Sequence, residues 1–466
     1  MKRFITMLCM GVLSHAYATN LEVSQPLFYQ EADQSYVVFN LSWENAWHND
    51  KNHDAVWLFF RLQWPPGSKH QKVAKQGHEV VANFGAYDQM SFEVPDDQVG
   101  LFVKPTSSYR GDINLTIKVK LDQDDLADLN TRNAAMKVYG IEMVNIPSGG
   151  FTLGDPDPNA TRFGAFFKPK KGEPNGLVEI KSEDQSLEVG EDGDLYYKAP
   201  SNYEGDQMGT IPAVYPKGVN SFYTMKYELT EGLYVDFLNS LKEGTTADRE
   251  VFQADNYNKT GSIQNKEGVY STAFQNRPAR YVSWDDGMAF ADWAGLRPMT
   301  EFEFTKAARG DQTPIENEFP WQTGERIQIQ RLPDADWMLE MRNGWDESDL
   351  TDENRYYFGA SYYWVMDLSG SIWERVISVG HPKGRAFQGT HGDGYLSDDG
   401  MANVENWPIG QDDTGGIGYR GGGFYGYNRN YTEYNPFSPI AYRPYGGWHG
   451  GMRSIAYGTR FVRSVD

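Results

Sequence analysis

The chain has 466 residues and a formal net charge of −21 at neutral pH. Nucleic acid and anionic membrane surfaces require clustered Lys and Arg, so this charge argues against both as partners. Hydrophobic residues make up 39% of the chain and aromatic residues 14%, which is enough for well-packed cores. At this length, two or three domains are expected.

The N-terminus has the pattern of an export signal. Lys2 and Arg3 precede an apolar run at positions 4–13, and this run of about ten residues is too short to span a bilayer. Ala16 and Ala18 occupy the two positions that a signal peptidase reads, so residues 1–18 are predicted to be a signal peptide. Acylation at Cys9 and a buried N-terminal helix are the alternatives. No later run has the roughly 20 apolar residues that a transmembrane segment needs. We predict an exported protein that is periplasmic, on the cell surface or extracellular.

Residues 19–137 have an all-β pattern. Apolar and polar residues alternate from 113 to 121, which is typical of a half-buried strand. Segments 36–43 and 55–64 are apolar and rich in strand-forming residues, and a polar connection at 44–50 separates them. Short strands with intervening turns predict a β-sandwich-like domain. His48, His53 and Asp54 either bind a metal or are ordinary polar loop residues.

Residues 138–466 change in character. Ser283 with Asp286 and Thr300 with Glu303 are capping-box pairs, which predict the start of two helices. A third helix is predicted at 231–241. The rest is rich in Gly, Trp, Tyr and Asn, which indicates many turns and burial by large rings. Polar insertions are predicted at about 155–220 and 241–277.

Eight motifs in this second region occur in an order that resembles the formylglycine-generating enzyme, or sulfatase-modifying factor, superfamily. They lie at 143–154, 227–237, 278–293, 297–310, 319–321, 367–374, 420–424 and 458–463, and include Asp367-Leu368-Ser369-Gly370-Ser371-Ile372-Trp373-Glu374 and Arg420-Gly421-Gly422-Gly423-Phe424. The resemblance covers residues 138–466. It implies a compact, turn-rich α+β fold related to C-type lectins.

The resemblance also indicates which residues a catalytic member should have. Oxidase members of the superfamily bind copper through two cysteines just after the motif at 420–424, and the corresponding positions here are Gly426 and Tyr431. The serine of that motif is Gly423, and the chain's one cysteine, Cys9, lies in the predicted signal peptide. Copper(I) needs soft sulfur ligands, so copper is not expected and no catalytic residue is assigned. The alternative is a metal-dependent oxidoreductase with a replaced metal site, in which Tyr431, Glu433 and His449 would meet in space.

A structural calcium site is a further implication of the resemblance. The family holds calcium at a turn that corresponds to Asp367, Gly370, Ile372 and Glu374. Two carboxylates with backbone carbonyls suit a hard cation that accepts flexible oxygen coordination. In the metal-free alternative, Asp367 caps a turn and Glu374 pairs with an arginine.

The segment 419–457 is rich in Tyr and Trp, with Gly, Asn, Ser and Arg between them. Recognition surfaces often use this mixture, because Tyr gives large contact area at low rotamer cost. The resemblance implies that these loops form a substrate groove in oxidases and a ligand face in lectin-like relatives. The residues predicted to bind ligand are Tyr425, Tyr427, Arg429, Tyr431, Tyr445 and Trp448. The predicted function is non-catalytic binding of a glycan, peptide or protein, or assembly within an envelope or secretion complex. Alternatively the rings pack the core, and about half are expected to be buried.

Overall fold

The computed structural model describes residues 21–64, 67–122, 134–170, 173–174, 176–242, 244–245, 249, 261–326, 349–409, 415–423, 432–448 and 452–464. This part of the chain is mostly β-sheet with few helices, as expected from the sequence. None of the helices in these ranges has the length and apolar character needed to cross a membrane.

The strands before residue 147 are, in chain order, β1 (Glu22–Val23), β2 (Leu27–Glu31), β3 (Gln34–His48), β4 (Asp54–Trp64), β5 (Gly67–Gln71), β6 (Glu79–Asn83), β7 (Met90–Glu93), β8 (Leu101–Pro105), β9 (Tyr109–Lys120) and β10 (Ala135–Ile146). Those that follow are β11 (Phe151–Leu153), β12 (Pro169–Lys170), β13 (Glu173–Pro174), β14 (Val178–Ile180), β15 (Leu187–Val189), β16 (Gly209–Ile211), β17 (Phe222–Met225), β18 (Gln264–Lys266), β19 (Val269–Ser271), β20 (Arg297–Pro298), β21 (Trp373–Ile377), β22 (Ile417–Arg420), β23 (Tyr457–Thr459) and β24 (Phe461–Ser464).

Short helices connect the later strands. They are α1 (Glu231–Ser240), α2 (Trp284–Trp293), α3 (Glu301–Arg309), α4 (Arg355–Phe358) and α5 (Pro382–Arg385), with 3-10 turns at Pro158–Phe163 and Asp352–Asn354. All three predicted helices are confirmed. In α2, Ser283 Oγ accepts from the Asp286 amide while Asp286 accepts from the Ser283 amide. Thr300 and Glu303 form the same reciprocal pair at the start of α3.

Two sheets of the N-terminal region share one hydrophobic core. The five-stranded sheet has the order β1–β3–β9–β6, with β2 also paired to β3. Apolar residues of β3 and β9 pack against those of β4 and β8, which belong to the second sheet. The predicted alternation in β9 is confirmed, because Ile113, Leu115, Ile117 and Val119 are buried while their neighbours are not.

The second sheet is shared between the N-terminal and C-terminal regions. Its order is β20–β24–β17–β10–β4–β8–β7, with β5 also paired to β4. Strand β10 pairs antiparallel with β4 from Ala135↔Gln63 to Val144↔Asp54, and with β17 on its other side. Side chains reinforce the junction: Trp57 Nε1 donates to the Ala294 carbonyl at 2.8 Å. The two regions are therefore joined by a continuous hydrogen-bonded ladder.

The predicted polar connection at 44–50 was largely wrong, because β3 continues to His48. The strand accommodates the extra residues by a register shift between Trp43 and Ala46, with Asn45 at a φ of 56°. Beyond the shift Ala46 and Trp47 are buried. Burial of these two apolar residues makes it favourable for the strand to resume after the bulge.

The predicted insertion at 155–220 contributes to the main core. Leu187, Tyr197, Ile211 and Tyr215 are buried within the same cluster as α2. The insertion at 241–277 is only partly within the described ranges, where β18 and β19 form a hairpin.

Candidate functional site

The predicted calcium turn leads into β21, which contains Glu374, and the Glu374 carboxylate is buried in the C-terminal region. Glu374 is fully buried, and Arg460 donates from Nε and Nη2 to its two carboxylate oxygens at 2.8 and 2.9 Å. The arginine pair of Glu374, which the metal-free alternative predicted, is thus present. Asp367 and Gly370 have φ values of 61° and 106°, so the turn places both in the left-handed region.

Glu228, a third carboxylate near this turn, was not predicted as a site residue. Its Oε1 accepts from the Ile372 amide at 3.2 Å. Burial raises the pKa of Glu228 well above its ordinary value, and the nearby charges of Asp367 and Glu374 raise it further. Burial also raises the pKa of Glu374, against the opposing effect of Arg460. The only sequence signal for Glu228 was its place in the motif at 227–237.

These residues fit a hard cation by their chemistry. Asp367, Glu374 and Glu228 place three carboxyl groups beside one cation, Arg460, in the buried turn. An ionised carboxylate has more acceptor positions than one arginine uses. Within the described ranges, no three His, Cys, Asp or Glu side chains converge closely enough to hold a metal by themselves. A calcium ion here would therefore need the backbone carbonyls that the prediction included.

Segments 415–423, 432–448 and 452–464, which include β22, β23 and β24, bring aromatic residues together around Trp373 of β21. Trp373, Tyr419 and Tyr457 are buried and form a floor. Half-buried rings pack on this floor, and we call Tyr434, Tyr445 and Trp448 the aromatic face. The ring centroids of Tyr445 and Trp448 lie 5.6 Å apart, and those of Tyr445 and Trp373 lie 5.1 Å apart. The floor is what holds the partly exposed rings in place.

The prediction for this region is only partly tested by the described residues. Tyr445 and Trp448 lie together, whereas Tyr425, Tyr427, Arg429, Tyr431, Gly426 and His449 lie outside the described ranges. Of the six Tyr and Trp residues of the segment that the structure describes, Tyr419, Tyr442 and Tyr457 are buried and the three of the aromatic face are half-buried, which agrees with the expected proportion for these six. Sequence reasoning missed Trp373, although it lies within the motif at 367–374.

Glu433, which was considered as a ligand in a replaced metal site, forms a surface ion pair. Its carboxylate lies 2.5 Å from the Arg162 guanidinium, and both side chains are more than half exposed. The two other residues of that hypothesis, Tyr431 and His449, are not among the described residues.

Gly423 occupies the position of the family's serine, and the backbone around it is crowded. A Cβ atom at Gly423 would lie 2.8 Å from the Trp373 amide nitrogen, which is closer than such contacts normally allow. A serine would therefore require a shift of β21 or of the loop. Beyond Cys9 the chain has no cysteine, so residues 19–466 cannot supply the thiolate pair of a copper(I) site.

The charged residues of the other motifs form buried ion pairs that hold the scaffold. Glu301 of α3 accepts from Arg443 at 2.5 Å and 3.0 Å, and both side chains are fully buried. Arg420 lies over the Phe304 ring at 4.8 Å. Arg297 and Glu303 form another pair at 2.6 Å. These motifs thus specify packing, and retention of the motifs does not by itself indicate catalysis.

Comparisons with known proteins identify the family to which these motifs belong. Residues 132–465, more than half of the chain, match the family described as the sulfatase-modifying factor enzyme 1-like domain. An inactive C-alpha-formylglycine-generating enzyme 2 of Mus musculus is 31% identical over 131 residues, which is 27% of this chain and 40% of that relative. A formylglycine-generating enzyme of Thermomonospora curvata is 32% identical over 108 residues, which is 21% of this chain and 32% of that relative. The matched segments thus span less than half the length of either relative. The chain belongs to the sulfatase-modifying factor enzyme 1-like domain family.

Proposed function

We propose that this protein is an exported, non-catalytic member of its family that binds a glycan, peptide or protein ligand at the aromatic face. The observation that carries the proposal is the set of three half-buried rings, Tyr434, Tyr445 and Trp448, on a buried aromatic floor. The absence of any cysteine after Cys9 supports a non-catalytic role. One relative, from Mus musculus, is itself named as inactive. The export step follows from the N-terminal sequence pattern.

Ring geometry supports this type of recognition. Tyr and Trp offer flat apolar surfaces with a polar edge, which suits the faces of sugar rings and the side chains of peptides. Because Trp448 contacts Tyr419, Tyr445 and Tyr457, its position is fixed before any ligand arrives. A preformed surface loses less conformational entropy on binding than a mobile one.

The first experiment measures binding of the purified mature chain to soluble oligosaccharide and peptide arrays. Trp448→Ala and Tyr445→Ala should each weaken the strongest array interaction by about tenfold or more, because central aromatic anchors often dominate binding energy. Tyr357→Ala is the matched control, since Tyr357 is 43% exposed and lies outside the face. Circular dichroism should show that all three variants stay folded. Unchanged binding by both face variants would exclude this surface as the ligand site.

We further propose that calcium stabilises the turn at Asp367, Gly370, Ile372 and Glu374. The all-oxygen donor set supports this ion. Elemental analysis of the purified chain should find calcium and neither copper nor iron. Stoichiometric copper or iron, with oxygen consumption on addition of a cysteine-containing peptide, would instead establish the oxidoreductase alternative. Co-purification with envelope proteins at fixed stoichiometry would indicate the assembly role.

A further inference from the structure

A pocket at the junction of the two regions has features of a binding site distinct from the aromatic face. Its volume is about 300 Å³, and it lies between β1, β10 and the N-terminal half of α1. Leu21, Val23 and Leu233 contribute partly buried apolar walls. We call it the junction pocket. A volume of this size accommodates a small organic group and exceeds what one bare ion needs.

Its lining is acidic. Glu142, Glu228 and Asp236 all line the junction pocket, and no Lys, Arg or His occurs among the described residues that do so. Asp236 is exposed, whereas Glu142 and Glu228 are 7% and 1% exposed. Asp236 at the exposed end, together with Glu142, whose charge is shared with Lys226, therefore favours a cation over an anion.

Each of the two buried carboxylates has one oxygen in a hydrogen bond with the protein. Glu142 Oε2 accepts from Lys226 Nζ at 2.9 Å, and Glu228 Oε1 accepts from the Ile372 amide. In the described part of the chain, Glu142 Oε1 and Glu228 Oε2 have no hydrogen-bond partner. Burial raises the pKa of Glu142, although Lys226 opposes that effect. A buried carboxylate oxygen without a donor is costly, so a donor from outside the chain would be favourable.

We propose that the junction pocket binds a primary alkylammonium group. The ammonium donates to Glu142 Oε1, Asp236 adds charge at the exposed side, and the methylene chain lies against Leu21, Val23 and Leu233. An ammonium carries three N–H donors that point in different directions, so it does not need tightly convergent ligands. A metal ion would need further oxygen ligands at this pocket, because the acidic side chains do not converge on one point within the described ranges. The source of the group is a free amine or a lysine side chain of a peptide.

Calorimetric titration of the mature chain tests the proposal. The two probes are 1,5-diaminopentane and Nα-acetyl-lysine methylamide. The neutral control for the diamine is the corresponding diol, and the neutral control for the lysine derivative is its Nε-acetylated form. Both Glu142→Gln and Asp236→Asn should weaken binding of the amine by about tenfold, which is typical for loss of a charge-assisted contact. Glu191→Gln is the control, because Glu191 is exposed and does not line the pocket.

Leu233→Lys is a separate variant that places a tethered ammonium at the pocket wall. It should abolish binding of the free amine without lowering the melting temperature. A variant that lost binding because its fold was disrupted would melt at a lower temperature. Tighter binding of the diamine would indicate a small-molecule source, and tighter binding of the lysine derivative would indicate a peptide. The proposal is overturned if neither amine binds, if the neutral analogues bind equally well, or if Asp236→Asn and Leu233→Lys bind as the parent does.

Discussion

Asp54 shows how one buried residue determines a property of the whole protein. It is completely buried at the start of β4, and its Oδ1 accepts from the Trp47 amide at 3.0 Å. Among the described residues Oδ2 has no hydrogen-bond partner, and Lys226 Nζ lies 3.8 Å away from it. Burial raises the pKa of Asp54 from 3.8 to about 7, against the smaller opposing effects of Lys226 and the Trp47 amide. The folded protein therefore holds this proton more tightly than the unfolded chain does.

This difference predicts the pH dependence of stability. The contribution of Asp54 is most favourable below about pH 4 and is lost as the pH rises to about 7, because the unfolded chain releases the proton first. Asp54→Asn keeps an acceptor for the Trp47 amide and cannot ionise. It should flatten the stability profile between pH 4 and 8 by up to about 4 kcal/mol. Urea denaturation across this range measures the effect, and exposed Asp50→Asn is the control. Identical profiles for Asp54→Asn and the parent would contradict the assignment.

At the scale of the element, the helices and the strands differ in how far the sequence predicts them. The starts of α2 and α3 are set by residues three positions apart, and such local signals are visible in the sequence. The extension of β3 to His48 depends on pairing with β9 and on burial of Trp47, which are contacts with distant residues. Local propensity therefore misplaced the end of that strand by several residues.

The cap of α3 provides a test at this scale. Thr300 Oγ1 accepts from the Glu303 amide, and it also donates to the Pro216 carbonyl at 3.0 Å. Thr300→Ala should lower the free energy of unfolding by about 1–2 kcal/mol, because a buried helix amide loses its acceptor. Thr351→Ala is the matched control, since Thr351 precedes a 3-10 turn without a side-chain cap hydrogen bond. Equal stability of the two variants in urea would show that the cap contributes nothing.

Part of the candidate site could be predicted from the sequence. A family motif marked the turn at Asp367 and Glu374, whereas the Tyr- and Trp-rich composition of segment 419–457 marked the rings at Tyr445 and Trp448. Glu228 and the Trp373 floor were missed, because they reach the site only through contacts between segments far apart in the chain. Such contacts are decided by tertiary packing, which periodicity and composition do not report.

At the scale of the whole molecule, the boundary predicted at residue 138 falls inside strand β10. Phe59 of β4 stacks on Tyr139 with ring centroids 5.2 Å apart, and it meets Trp293 of α2 at 4.8 Å. Asp97 accepts from Arg463 near the C-terminus at 2.6 Å. These contacts make the N-terminal strands part of the C-terminal core rather than an appended module.

The last prediction follows from this shared sheet. A fragment of residues 134–466 would leave β10 without its β4 partner along ten residue pairs and expose Tyr139 and Trp293. Unpaired apolar strand edges promote aggregation, so the fragment should be insoluble or lack a cooperative thermal transition. Co-expression with residues 19–133 should restore a soluble complex, because the second fragment supplies β4 and its ladder. A fragment that melts cooperatively by itself, at the temperature of the full chain, would mean that the shared strand contributes no stability and that the two regions fold independently.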